Sequence, residues 1–273
     1  MPAPVDLYSA YSNFTDTVLA AVRKETFGTD IGQNSWMTVE EYNRLCSWLT
    51  LAANQHVLEV ASGSGGPAIH LARTTCCRVT GIDSNASAVA TASHMAAESG
   101  FAEPARVRFS VADANTRLPF DDGTFDAIVC IDAINHFADR LTVLREWHRV
   151  LRGGGKAMFT DPVVITGQVT NEELALRSSI GFFLFVPPGI NEQLIEQAGF
   201  RLIRQEDATD NASLIASRWH RARCAHKEAL IAIEGKERFE GLQRFFDAVH
   251  ALTSQRRLSR IAYLAEKHVG WTT

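Results

Sequence analysis

The chain has 273 residues, 46% of them apolar, which is enough to bury one large core. A formal net charge of −4 does not supply the clustered basic surface of a nucleic-acid footprint, so no nucleic-acid partner is expected. No apolar run approaches the ~18–20 residues of a membrane-spanning helix, and Met1-Pro-Ala-Pro-Val-Asp6 lacks the basic and apolar regions of a signal peptide. Five cysteines, an odd number with no C-x-x-C pair, read neither as a disulfide framework nor as metal ligands. The expectation is a soluble protein of a reducing cytoplasm with no metal site.

Two amphipathic helices are predicted first. Leu7, Tyr11, Phe14, Val18 and Val22 form one apolar stripe, and Thr38-Val-Glu-Glu41 is a capping box ahead of Tyr42, Leu45, Cys46 and Leu49. Between them, Phe27 to Met37 is a loop rich in polar and aromatic groups, Gln33 and Trp36 among them. The apolar strand His56-Val-Leu-Glu-Val60 then runs through Ala61-Ser-Gly63-Ser-Gly65-Gly66 into a helical pattern. Glycines at such a turn let a ligand approach the backbone, and in doubly wound α/β folds ligands sit beyond the carboxyl ends of the strands. Taken as Gly63-x-Gly65-x-x-Ala68, with Asp83 ending the next strand, the loop fits a dinucleotide fingerprint. Taken as Glu59-x-Ala61-x-Gly63-x-Gly65, it places a carboxylate where an anionic pyrophosphate has no use for one and a cationic ligand does. The glycine pattern alone supports both.

Further along come Val107 to Ala114, then Leu118 to Asp132 with a Phe-Asp leading into the strand. Val150-Leu-Arg-Gly-Gly-Gly-Lys to Asp161 follows, and then the helix-to-strand joint Ile195 to Ile203. In this order the motifs resemble the class I S-adenosylmethionine-dependent methyltransferases over about residues 30–206, with a last strand near Ser259 to Glu266. The chain departs from that family at Ala61, where a glycine is usual, and at Gly153, where a proline is common. The resemblance implies an α/β, doubly wound, mostly parallel seven-stranded sheet in a single domain. That domain comprises an N-terminal helical cap (1–52), a cofactor-binding core (53–206), a helical insertion (207–256) and the last strand and tail (257–273). Residues 140–151 read as a helix with Leu144, Trp147 and Leu151 in register, and residues 211–254 as two more, covering the acceptor side.

The resemblance also implies site roles. Glu59, Ala61, Gly63 and Gly65 line the methionine end of S-adenosylmethionine, Asp83 accepts from the ribose hydroxyls, and Ser84 packs beside the adenine. Asp113, with the Ala114 backbone, receives the adenine amino group, and Ile131 and Asp132 face the cofactor. Gln33 and Trp36 are further candidates for that wall. His136 and Asp161 follow the fourth and fifth strands on the ligand-bearing edge, as a histidine base and a carboxylate able to orient it. The alternatives are structural: a strand-end turn residue at Asp83, a helix cap at Asp113, a cap of the following turn at Asp161, and an imidazole that caps or packs at a strand end at His136. Tyr8, Tyr11, Phe182, Phe183 and Phe185 are candidates for the acceptor wall or for the core of a cap helix. Arg218, His220, Arg221, Arg223, His226 and Lys227 read as a solvated helix face, the alternative being recognition of an anionic acceptor such as a phosphorylated small molecule. The expected activity is methyl transfer to an oxygen or nitrogen of a small molecule. The alternatives are an NAD(P)-dependent oxidoreductase and a non-catalytic module that binds the cofactor.

Overall fold

The computed structural model describes residue 14 and residues 16–101 and 106–268. Seven strands form one sheet: β1 (His56–Val60), β2 (Arg78–Asp83), β3 (Val107–Val111), β4 (Phe125–Cys130), β5 (Leu151–Ile165), β6 (Phe200–Asp207) and β7 (Leu258–Lys267). Their order across the sheet is β3-β2-β1-β4-β5-β7-β6. β1 is parallel to β2 on one side and to β4 on the other. β7 enters between β5 and β6 and is antiparallel to both.

The apolar strands are dictated by burial on two faces, since successive side chains on a strand point to opposite sides. Val57, Val129 and Met158 pack under Tyr42 and Leu45 of helix α2 (Val39–Ser47) and Ile69 and Leu71 of α3 (Gly66–Thr75). Their neighbours Leu58, Ile128 and Phe159 face the other way, against Val143 and Trp147 of α5 (Arg140–Val150) and Ile195 of α7 (Ile190–Gln197). Helix α4 (Ala86–Glu98) packs on β2 and β3. The capping box predicted at Thr38 is present in half: its side chain accepts from the Glu41 amide at 3.4 Å. Of the first predicted stripe, Val18 and Val22 lie in α1 (Thr17–Phe27), whereas Leu7 and Tyr11 fall outside the described residues.

Two local expectations are corrected. The aromatic run at 180–186 is not a cap helix. Helix α6 (Asn171–Arg177) ends ahead of it, and the run continues as irregular chain that bridges back to the sheet at Val186, opposite Val164. Gly181 and the Pro187-Pro188 pair disfavour a helix there. The insertion holds three helices instead of two, α8 (Thr209–Ala225), α9 (Lys227–Glu234) and α10 (Lys236–Ser254): the second predicted pattern, Phe239 to Val249, lies whole in α10, and Gly235 at φ +82° separates that helix from the extra α9. In β5 the register against β7 shifts between Asp161 and Val164, where Pro162 has no N–H to give the ladder. Among the described residues no helix is long and apolar enough to cross a membrane.

Candidate active site

The direction of winding reverses at β1, so the carboxyl ends of β1, β2, β4 and β5 open onto a common crevice. A cavity of roughly 720 Å³ fills it, within the range of small-molecule sites. The strand-end turns supply one wall: Ala61, Asp83, Ser84, Asp113, Ala114, Ile131, Asp132 and Pro162. Gln33 and Trp36 of the loop between α1 and α2 line it too, as do His136 and Phe183. A side chamber of about 40 Å³ shares Asn34, Ser35, Ala61 and Ile131 with it and adds Glu59 and Gly63. Tyr8 and Tyr11 lie outside the described residues, and Gly65, Asp161, Phe182 and Phe185 line neither space.

The turn after β1 is held in left-handed backbone, with φ of +56° at Ala61, +53° at Gly63 and +77° at Gly65. Two of these are glycines, which adopt it freely. Ala61 does not, and that conformation costs about 1 kcal/mol in an alanine. Gly65 serves packing: a Cβ there would lie 2.5 Å from the Phe109 ring and 2.6 Å from Ala92. The carboxylate of Asp83 accepts from the Gly63 amide at 2.9 Å and the Asn85 amide at 2.9 Å, so it braces the loop while lining the cavity. Asp113 accepts from the Asn115 amide at 2.9 Å, in a turn at the end of β3.

Glu59 is buried, and its Oε2 has no hydrogen-bond partner. Burial, with the negative charge of Asp83 nearby, pushes its pKa up to about 8. Asp132, by contrast, is saturated. Its Oδ1 accepts from Arg260 Nε at 2.6 Å and from the Thr160 hydroxyl at 2.7 Å, and its Oδ2 from the Trp36 amide at 2.8 Å. Arg260 Nη1 also reaches Glu41 Oε2 at 2.6 Å, so Asp132 ties the Trp36 loop and α2 to the sheet.

His136 ends a single turn of 3-10 helix, Ile134–His136, just beyond β4. Its Nδ1 lies 2.8 Å from the Phe182 carbonyl oxygen. A carbonyl only accepts, so Nδ1 carries the hydrogen and Nε2 the lone pair. Burial lowers the pKa of the ring, so the neutral form prevails at neutral pH. The carboxylate expected to orient it does something else. Asp161 is buried and accepts from Arg140 Nη1 at 2.6 Å and Asn191 Nδ2 at 2.8 Å. Arg140 Nη2 in turn donates to the Leu184 carbonyl at 2.5 Å, and the Leu184 amide to the Asn135 carbonyl at 2.8 Å. Asp161 is therefore linked to His136 only at one remove, through Arg140 and the segment whose Phe182 carbonyl accepts from the imidazole.

The remaining wall comes from helices. Arg177 of α6, Trp219 and Arg223 of α8, and Phe245 and Phe246 of α10 all line the cavity. Sequence reasoning missed Arg177, Trp219, Phe245 and Phe246 as site residues, and for Arg223 it preferred a solvated face to the alternative of an anionic acceptor. The signal was present in α8, where Ile215, Trp219 and Ala222 mark the inward stripe that Arg223 adjoins. The rest of that basic cluster is spent elsewhere, with Arg221 and Lys227 exposed and His226 on Glu25 of α1 at 2.7 Å.

The antiparallel β7 bears on the two cofactor readings, since a dinucleotide-binding sheet of order 3-2-1-4-5-6 has no such strand. A methyltransferase-domain family model matches residues 58–159. The chain belongs to the class I S-adenosylmethionine-dependent methyltransferases. This methyltransferase is 27% identical over 254 residues to the 27-O-demethylrifamycin SV methyltransferase of Amycolatopsis mediterranei, covering 89% of this chain and 85% of the relative. It is 31% identical over 179 residues to the sarcosine/dimethylglycine N-methyltransferase of Halorhodospira halochloris, covering 66% and 62%. In fold it is similar to the Haemonchus contortus phosphoethanolamine N-methyltransferase 2, solved in complex with phosphomonomethylethanolamine and S-adenosylhomocysteine. There the TM-score is 0.79 at 20% identity, over 94% of this chain and 60% of that one.

The residues fit the methyltransferase cofactor. An orphaned, buried carboxylate oxygen at Glu59, in a chamber of about 40 Å³, suits a small cation such as an α-ammonium. It would oppose a phosphate.

Proposed function

We propose that this methyltransferase transfers the methyl group of S-adenosylmethionine to a hydroxyl oxygen of a small organic acceptor, with His136 as general base. The cofactor, when bound, supplies a methyl carbon already activated by a positive sulfur, so the protein has to bind, align and exclude water. In this reading Glu59 takes the cofactor's ammonium group, Asp83 its ribose hydroxyls, and Asp113 with Ala114 its adenine. Gly63 keeps the turn narrow. Asp132 and Gln33 hold their loops in place, and Ser84, Ile131 and Trp36 complete the wall.

The observation that carries the assignment of the base is the bond from His136 Nδ1 to the Phe182 carbonyl, which leaves the basic lone pair on Nε2 of a ring lining the cavity. A neutral imidazole so fixed can take the hydroxyl proton as the oxygen attacks, and such catalysis is worth about 10²–10⁴-fold. Asp161 and Arg140 are positioning residues. Phe183 walls the acceptor side, and Phe182 contributes its backbone.

The test has two parts. Calorimetric titration should give micromolar binding of S-adenosylhomocysteine and none of NADH, and hydroxylated compounds should take up label from methyl-labelled cofactor. With an acceptor in hand, His136→Ala should lower kcat by roughly 10²–10⁴-fold and leave the affinity for S-adenosylhomocysteine within about twofold. Equal loss of both would remove His136 from the role of base.

A further inference from the structure

The helical side of the cavity differs in chemistry from the strand-end side. Its apolar lining includes Leu19 of α1, Ile180, Trp219 of α8, Ile233 of α9, and Leu242 and Phe246 of α10. Leu242 and Phe246 stand at i and i+4 of their helix and so share a face. The rings of Phe246 and Trp219 stack with centres 5.4 Å apart and planes 8° from parallel, and Trp36 meets Phe246 edge-on at 6.1 Å. Phe245 lies 5.4 Å from Phe246, and at the other end of the wall Phe183 lies 4.7 Å from the imidazole of His136. Rings and methyl groups thus run from the candidate base to the insertion helices.

The charged side chains on that side are engaged by the protein itself. Arg23 lies 3.0 Å from Asp30. Arg223 is bonded to one oxygen of Glu234 of α9 and, at 3.2 Å, to Gln243 of α10, so it joins three helices. The other oxygen of Glu234 lies 3.7 Å from Arg238 Nε. Arg177 is packed among rings, its guanidinium 4.7 Å from the centre of Phe183, 5.3 Å from that of Phe245 and 5.6 Å from that of Trp36. A further charge entering here would shed its hydration without gaining a partner, whereas apolar surface is favoured wherever it leaves water. Ile233 lines the cavity and is 38% exposed, on a helix that packs against α1, α8 and α10, so an apolar side chain of the lining stands at the surface on the helical side.

We infer that the methyl acceptor is an uncharged, predominantly apolar alcohol, whose hydroxyl reaches His136 and whose body lies along Phe246, Leu242 and Trp219 towards Ile233. This rests on the proposed reading of the strand-end wall as the cofactor's and of His136 as the base. Selection then follows apolar area. Each methylene taken out of water is worth roughly fourfold in affinity, so a long-bodied alcohol is preferred to a short one and a charged one is rejected.

The test uses the uncharged dye N-phenyl-1-naphthylamine, followed by fluorescence on the full chain with and without saturating S-adenosylhomocysteine. The dye should bind in both states with a stoichiometry near one. With the cofactor product bound, 1-decanol should displace it at least tenfold more effectively than 1-hexanol, and 6-hydroxyhexanoate and 6-amino-1-hexanol at least tenfold less effectively than 1-hexanol. Leu242→Gln should weaken the dye at least tenfold and leave the affinity for S-adenosylhomocysteine within about twofold. Because Leu242 is buried, Ile233→Gln at the surface is the second variant. It should reduce the gain from 1-hexanol to 1-decanol while the melting temperature holds. Alkanols of equal strength, a charged hexanol that displaces as well as 1-hexanol, or unchanged dye affinity in both variants overturns the inference and leaves the cofactor site standing. If the dye binds and S-adenosylhomocysteine does not, the cofactor reading falls and the apolar chamber stands.

Discussion

Glu59 is a carboxylic acid kept protonated near neutral pH by the space around it. Its pKa in the folded chain, about 8, lies above the ordinary 4.5, so the fold favours the neutral form. The sign follows from linkage. Below about pH 4.5 both folded and unfolded chains hold the proton, and Glu59 costs nothing. As the pH rises from there through about 8, the unfolded chain gives the proton up while the folded one retains it, and the cofactor-free protein loses stability. A cation placed against Oε2 reverses the preference and expels the proton. Cofactor binding should therefore release a proton below about pH 8, seen as a calorimetric heat that varies with the buffer's ionisation enthalpy. Glu59→Gln should melt higher than the parent at pH 8 without cofactor, yet bind S-adenosylhomocysteine at least tenfold more weakly. A variant that melts lower and binds as well would mean that Glu59 faces no cation.

At this scale the sequence is legible where chemistry constrains one position. An acid at the end of an apolar strand, two glycines at fixed spacing and a second strand ending in Asp83 were enough to place one wall of the cavity. The other wall was not legible in this way. Arg177 and Arg223 are buried by partners distant in sequence, such as Trp36 and Phe245 for the first and Glu234 and Gln243 for the second. No local pattern distinguishes such arginines from solvated ones.

At the scale of elements, the fifth strand, α5, α7 and the irregular run at 180–186 act as one unit, joined by the buried Arg140–Asp161–Asn191 cluster. The bend at Pro162 interrupts the β5–β7 ladder, and Asp161 precedes it. Removing one member of a buried pair strands the other charge, which costs about 3–5 kcal/mol, whereas apolar replacement of both is far milder. Asp161→Ala should therefore lose stability of that order in urea unfolding, and the paired Arg140→Met, Asp161→Leu variant should recover more than half of it. Turnover should fall more than cofactor affinity in the single variant, since the Phe182 carbonyl loses its support. The strands and α5 were foreseen because their apolar periods are strong. The run at 180–186 was misjudged because apolar content alone does not separate a helix from buried irregular chain, and its glycine and prolines were the better guide.

At the scale of the molecule, the helices of residues 209–254 and α1 close over the crevice that the sheet creates. The fold was foreseen because its motifs occur in chain order, although the closing helices carry no motif of their own. Position in the sheet has another consequence. β7 is made last of the seven strands yet lies between β5 and β6, and its ladder is the partner of both. During synthesis, β5 therefore waits with an open, apolar edge while about ninety further residues (166–257) leave the ribosome. A chain truncated after Ser254 should collapse without fixed packing, shown by a weak near-ultraviolet circular dichroism signal and no binding of S-adenosylhomocysteine, although every strand-end turn of the cofactor wall is present in it. Commitment to the native sheet is thus deferred to the final strand, and such a protein has to be kept from aggregation until its last described element has been translated.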